Sequence, residues 1–275
     1  MLSNLSQTDF LDDDEQEEKA LQKWPERINL VLIFIVVTAV YLFSPVYTST
    51  DSAWSVYITM SVIREQNFSL NEYGERLEVD DYYYVDAING DYYSYFPVGA
   101  PLLGVPVLAV IDQILLKGFS IDLYESIKKD RVPWVVFSEK FMASFFAALT
   151  CVVLYKIGRF SLAKTGAFIL LCCGAFATSL WSTASRALWQ HGPSALMLAL
   201  ALYFLVAARH KPHLVQYASI PLSYAYVIRP TNSLPIIVFT LLILIQYRPY
   251  FIKYVLWSLP IGLTFLFSNY LIYEQ

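Results

Sequence analysis

The chain has 275 residues, 57% of them hydrophobic and only 15% charged, against about 25% charged in an ordinary water-soluble domain. This argues against a soluble enzyme, a disordered chain or a disulfide scaffold and for a polytopic helical membrane protein, since one spanning helix needs about 20 apolar residues. The net charge of −4 (19 − 23) hides a division: residues 1–27 hold eight acids against three bases, residues 51–139 hold fourteen acids, and residues 140–273 hold ten bases and no acid.

Residues 1–27 are acidic and polar, the reverse of a basic signal-peptide start, and read as a solvated cytoplasmic arm. Residues 28–275 read as one membrane domain. Spans are expected at 28–46, 133–155, 163–182, 192–208, 213–228, 232–247 and 254–272. The fold class is thus all-α and polytopic, with about seven transmembrane helices. Lys156, Arg159 and Lys164, then Arg209 and Lys211, then Arg248 and Lys253 fall between alternate spans, on the side of Lys19, Lys23 and Arg27. The positive-inside rule makes that side cytoplasmic and leaves 47–132 as a large outer loop.

Inside that loop, Ser52 to Gln66 has helical periodicity, with Trp54, Tyr57, Ile58 and Val62 on one side. Asn89-Gly90 between aromatic-rich runs (Tyr82 to Ile88 and Asp91 to Phe96) predicts a β-hairpin, because both turn residues tolerate positive φ. Residues 101–117 are apolar but short, and contain Gly104, Pro106 and Asp112. They are expected to form a helix at the outer interface, because a crossing there would reverse the later basic clusters. Cys151, Cys172 and Cys173 sit in apolar runs and read as packing residues.

Asp51 follows the first span directly. It has two readings: a carboxylate that takes a proton from an acceptor hydroxyl, and an N-cap for the next helix. Asp80 and Asp81 also have two, a divalent-cation or sugar-hydroxyl site and a solvated acidic loop. The second weighs more, since no metal spacing is present. Tyr92 and Tyr93 are candidates for packing on sugar faces, though Tyr is also an ordinary strand and interface residue. Arg186 and His191 lie in the outer turn between the third and fourth spans. Either can stabilise a phosphate leaving group, or serve as an interfacial residue. Arg229, in the tight outer turn Arg229-Pro230-Thr231-Asn232, asks for a lipid phosphate or a loop carboxylate, or snorkels to headgroups. Glu139 and Lys140, two turns into the second span, pair with each other, reach the outer surface or face a cavity. Nothing supports nucleic-acid binding, and no P-loop, dinucleotide fingerprint or zinc spacing is present.

The order of these features resembles the GT-C superfamily of integral-membrane glycosyltransferases, which includes protein O-mannosyltransferases, aminoarabinose transferases and many bacterial relatives. The resemblance rests on a large first outer loop with interfacial helices and on five stretches of sequence. They are Thr50-Asp51-Ser52 after the first span and the run from Asn89-Gly90-Asp91-Tyr92-Tyr93 through Pro97-Val98-Gly99-Ala100-Pro101-Leu102-Leu103. The others are the helix from Glu139-Lys140 to Arg159, and the outer turns Trp189-Gln190-His191 and Arg229-Pro230-Thr231.

The resemblance covers residues 28–273. It implies transfer of a sugar from a polyprenyl-phosphate donor to a glycan, lipid or protein acceptor outside the cytoplasm, in a bacterial cytoplasmic (inner) membrane. Asp51 matches the family's first-loop catalytic carboxylate, although Ser52 stands where relatives often have a second acid. Arg229, with Arg186 or His191, would hold the donor phosphate. Asp80, Asp81, Tyr92, Tyr93 and Lys140 are the further loop and cavity candidates. A divalent cation is left open. Relatives usually continue into further spans, so the chain is expected to be an N-terminal part or a shortened member. The rival functions are a transporter or lipid flippase, which would put ionisable groups or broken helices at mid-bilayer, and a non-catalytic scaffold.

Overall fold

The computed structural model describes residues 26–47, 50–79, 84–129 and 132–273. Long apolar stretches wind into helices, and the described part of the chain is mostly helical. It runs through α1 (Glu26–Phe43), α2 (Ser55–Arg64), α3 (Gly74–Val79), β1 (Val85–Ile88), β2 (Asp91–Ser94), α4 (Gly99–Phe119) and α5 (Leu123–Lys128). There follow α6 (Val132–Gly158), α7 (Lys164–Phe176), α8 (His191–Ala207), α9 (Ser219–Ile228), α10 (Ser233–Gln246) and α11 (Arg248–Tyr273). Among the described residues, three stretches are long and apolar enough to cross a membrane: Gly99–Phe119, Val132–Gly158 and Arg248–Tyr270. Leu234, Ile237, Leu241 and Ile245 on α10, with Ile252, Leu263, Leu266 and Phe267 on α11, turn outward. Soluble monomers rarely expose apolar surface that is this continuous.

α6 is the hub. It packs against α1, α7 and α8, and its buried residues extend from Val135 to Gly158. Its direction relative to α1 follows from end contacts. Ser44 and Tyr47, just past the end of α1, bond to Lys140 and Glu139 near the start of α6. Residues 47–132 therefore leave and rejoin the bundle at one end, termed the mouth end below. At the opposite end Phe160 stacks on His210 with ring centroids 5.6 Å apart, so the α6–α7 and α8–α9 connections meet there. The basic residues 156–164 and 209–211 are carried on those connections.

Two expected spans are interrupted. The third stops at Phe176 and resumes as a π-helical turn at Leu180–Ala184. Thr178 Oγ1 donates to Gly174 O (2.6 Å) and accepts from Leu180 N–H (3.2 Å), a side-chain alternative to the helical ladder. The fifth begins as a 3₁₀ segment, Pro212–Ala218, before α9. There Pro221 has no N–H to give Tyr217 O.

The 101–117 segment, read as a short helix at the outer interface, is longer than expected. It is part of an unbroken 21-residue helix, α4, about 31 Å long at 1.5 Å per residue. Its first turns touch residues of the mouth end. Tyr224 donates to Gly99 O (3.0 Å) and Thr59 to Pro101 O (3.1 Å), and Gly104 faces Met142 and Leu188. The N-terminal half of α4 therefore lies across the ends of α6 and α9.

A Cβ on Gly99 would stand 2.6 Å from Ile228 Cα and N, and neither backbone can give way locally. Gly99→Ala should lower stability by about 1–3 kcal/mol, read as a fall in Tm in detergent. Gly118→Ala, where a Cβ meets nothing within 4 Å, is the control and should be near neutral.

The hairpin forms as the sequence implies. Val85 pairs with Ser94, Asp86 with Tyr93, Ala87 with Tyr92 and Ile88 with Asp91, and Asn89 (φ 54°) and Gly90 (φ 94°) make the turn. Leu70 N–H donates to Tyr92 O (2.8 Å) and Tyr92 N–H to Asn71 Oδ1 (2.9 Å), which fastens the hairpin to the residues after α2. One apolar core joins α2, α4 and α5 to the starts of α6 and α8 and the end of α9. The loop is thus packed onto the bundle.

Candidate functional site

Asp51 sits in the exposed turn between α1 and α2. The N-cap position of α2 is Trp54, which has no side-chain capping bond. The capping reading of Asp51 is therefore overturned, because the turn is closed by backbone bonds from Ala53 N–H to Thr50 O (3.0 Å) and from Ser55 N–H to Ser52 O (2.9 Å). The carboxylate instead acts through space on His191, the first residue of α8.

His191 Nδ1 lies 2.9 Å from Arg229 Nη1. A guanidinium can only donate, so Nδ1 accepts and the imidazole proton resides on Nε2. The expected partner of Arg229, a lipid phosphate or a loop carboxylate, is here an imidazole. The Arg229 turn is held by buried Asn232, whose Nδ2 donates to Ser194 Oγ (2.8 Å) and Ala225 O (2.7 Å). His191 and Arg229, from segments distant in sequence, thus meet at the mouth end, and the Asp51 charge is felt there as the weakest of the influences on the imidazole.

Burial and the neighbouring Arg229 cation hold His191 below the usual imidazole range, while Asp51 opposes them. The folded protein favours the neutral ring. Stability from this preference is fully present above the unfolded pKa of about 6.5 and is lost as pH falls towards the folded value. Arg229→Gln should raise the His191 pKa and Asp51→Asn should lower it. NMR titration of histidine-labelled protein in micelles reads both shifts, and shifts of the same sign would show that the three groups are not neighbours.

Deeper in the same end, Glu139 is 1% exposed and Lys140 8%. Both reach the segment that follows α1, Glu139 reaches a second segment as well, and neither extends to the surface. Glu139 Oε2 accepts from Tyr47 OH (2.6 Å) and Oε1 from Leu188 N–H (3.1 Å), and the Lys140 ammonium donates to Ser44 O. Arg186 is near enough to repel the Lys140 ammonium. Arg186 Nε and Trp189 Nε1 are buried without a hydrogen-bond partner, a pair of donors suited to an oxygen acceptor from a ligand.

Two of the loop candidates, Tyr92 and Tyr93, belong to the hairpin. Tyr92 packs against the main core, which suits a structural role, and Tyr93, half-buried, lies opposite Asp86. Asp80 and Asp81 lie outside the described residues. Among the described residues no three His, Cys, Asp or Glu side chains come together to hold a metal ion.

Sequence reasoning missed Asn232, Tyr47 and the Arg64–Asp112 ion pair. Asp112, 1% exposed on α4, lies 2.8 Å from the Arg64 guanidinium at the end of α2. An acid at position 112 inside an apolar run, with a lone Arg near the end of a loop helix, was the available signal.

Comparison with known families, curated proteins and solved structures yielded no match to this chain.

Proposed function

We propose that the protein is an integral-membrane glycosyltransferase of the GT-C type. In this reading it crosses the bilayer seven times, from a cytoplasmic N-terminus, in a bacterial cytoplasmic membrane. It transfers a sugar from a polyprenyl-phosphate donor to a hydroxyl of a glycan, lipid or protein acceptor outside the cytoplasm. The observation that carries the reading is the 2.9 Å contact of His191 with Arg229 at one end of an apolar bundle, within reach of the Asp51 charge. The acceptor oxygen attacks the anomeric carbon, its proton passes to the Asp51 carboxylate, and the bond from that carbon to the phosphate oxygen breaks. The departing phosphate is met by the Arg229 guanidinium and the His191 Nε2–H, with Arg186 nearby, where developing charge is best stabilised by fixed donors.

Two further features support it. An apolar groove of about 260 Å³ opens between the loop and the bundle, lined by Phe68, Val98, Leu102, Tyr224, Val227 and Phe265, and suits a prenyl chain. The return of residues 47–132 to the end from which they left suits an even number of crossings within them, which keeps the basic clusters on one face.

The test uses the full chain in liposomes carrying polyprenyl-phosphate-linked sugars. Sugar transfer to a hydroxyl acceptor is expected. Solute uptake or lipid flipping without transfer would establish the transporter reading instead. Tight binding of polyprenyl phosphate with neither activity would establish the non-catalytic one.

A further inference from the structure

Glu139 is expensive where it stands. A carboxylate that is 1% exposed in an apolar helix bears a desolvation cost of several kcal/mol, and packing alone would be served better by Leu. Its two oxygens are used on segments outside its own helix. Oε2 takes the hydroxyl of Tyr47, four residues before Asp51, and Oε1 takes the N–H of Leu188, three residues before His191. The next residue, Lys140, holds Ser44 of the first of these segments. α6 is the most enclosed of the three span-length helices, so it provides a fixed reference against which both segments are set.

We propose that Glu139 is a positioning residue that fixes the separation between the segment bearing Asp51 and the segment bearing His191, and through His191 the Arg229 turn. The consequence for rate rests on the glycosyltransferase reading, but the consequence for geometry does not. A carboxylate suits the task because it accepts from both segments at once. Glutamine can still accept from Leu188 N–H through its oxygen while its NH₂ donates to the Tyr47 hydroxyl oxygen.

The experiment therefore has a geometric arm and a kinetic arm, both on the full chain with Cys151, Cys172 and Cys173 replaced by Ala. In the geometric arm, Thr50→Cys and Gln190→Cys are joined by a short bis-maleimide. The cross-link is expected to form in the parent, to survive Glu139→Gln, and to be largely lost in Glu139→Ala. In the kinetic arm, Glu139→Ala should lower kcat about 100-fold, the usual cost of a misplacement near 1 Å, with KM little changed, and Glu139→Gln should recover most of it. Leu171→Ala, in the core shared by α1, α6 and α7, supplies a general loss of Tm and should leave both readouts intact. An unimpaired cross-link in Glu139→Ala overturns the proposal. So do absence of the cross-link in the parent, Glu139→Gln as damaging as Ala, or equal damage from Leu171→Ala. Loss of the cross-link in Glu139→Ala, in a parent that transfers no sugar, upholds the positioning role and rejects the glycosyltransferase reading.

Discussion

Asp51→Asn is expected to lower sugar transfer by about 10²–10⁴-fold, the usual contribution of a general base, with the protein still folded. Asn matches Asp in shape, yet takes no proton at neutral pH. The expectation of a clean kinetic effect follows from where Asp51 stands. It is exposed and does not cap α2, so its replacement should change stability by no more than about 0.5 kcal/mol. Its charge is felt at His191, so the same variant should also lower the His191 pKa as the imidazolium loses its stabilising neighbour. Turnover by purified protein in proteoliposomes, alongside Tm in detergent, separates the two effects. Unchanged turnover would remove Asp51 from the chemistry and leave the contact of His191 with Arg229 without a base.

Arg64→Ala is expected to cost at least about 3 kcal/mol, because removing one partner of a buried pair leaves an uncompensated charge. Arg64 Nη2 lies 2.8 Å from Asp112 Oδ2 and 3.0 Å from Oδ1. Arg64 is partly exposed, at 27%, while the Asp112 carboxylate is sealed at 1%, so the penalty falls on the acid. A second carboxylate, Asp122, stands 3.6 Å from the same guanidinium and cannot relieve Asp112. Arg64→Met with Asp112→Leu should regain most of the loss, since apolar replacement of both partners is often neutral. Thermal unfolding of the two variants checks this. Equal Tm for Arg64→Ala and the parent would mean that α2 and α4 are joined by packing alone.

The helices stand close to where the apolar runs put them, and the hairpin is where Asn89-Gly90 requires. Chain pattern was weaker where side chains compete with the backbone. Thr178 diverts bonds from the ladder after α7, and Pro221 opens α9 late; neither effect alters hydropathy. The apolar run 101–117 read as a short helix, but α4 extends beyond it at both ends and passes through Gly104 and Pro106, since Gly104 faces Met142 and Pro106 is exposed on the opposite side. The site was legible as residue types and face: Asp51, His191 and Arg229 were singled out from charge and position. The bond between His191 and Arg229 was not, since it joins residues 38 apart across two helices. Nor was the task of Glu139, whose partners Tyr47 and Leu188 are uncharged and leave no trace in a charge count.

The arrangement around α6 also bears on how the chain is built at the ribosome. Its two buried charges would each be costly to insert alone into an apolar environment. Ser44 and Tyr47 are synthesised before them, so the ammonium and one carboxylate oxygen meet their partners as the second hydrophobic segment emerges. Leu188 arrives only 49 residues later. Nascent α1 therefore serves as the escort for α6, and the last bond of the clamp closes after two more helical segments have been made.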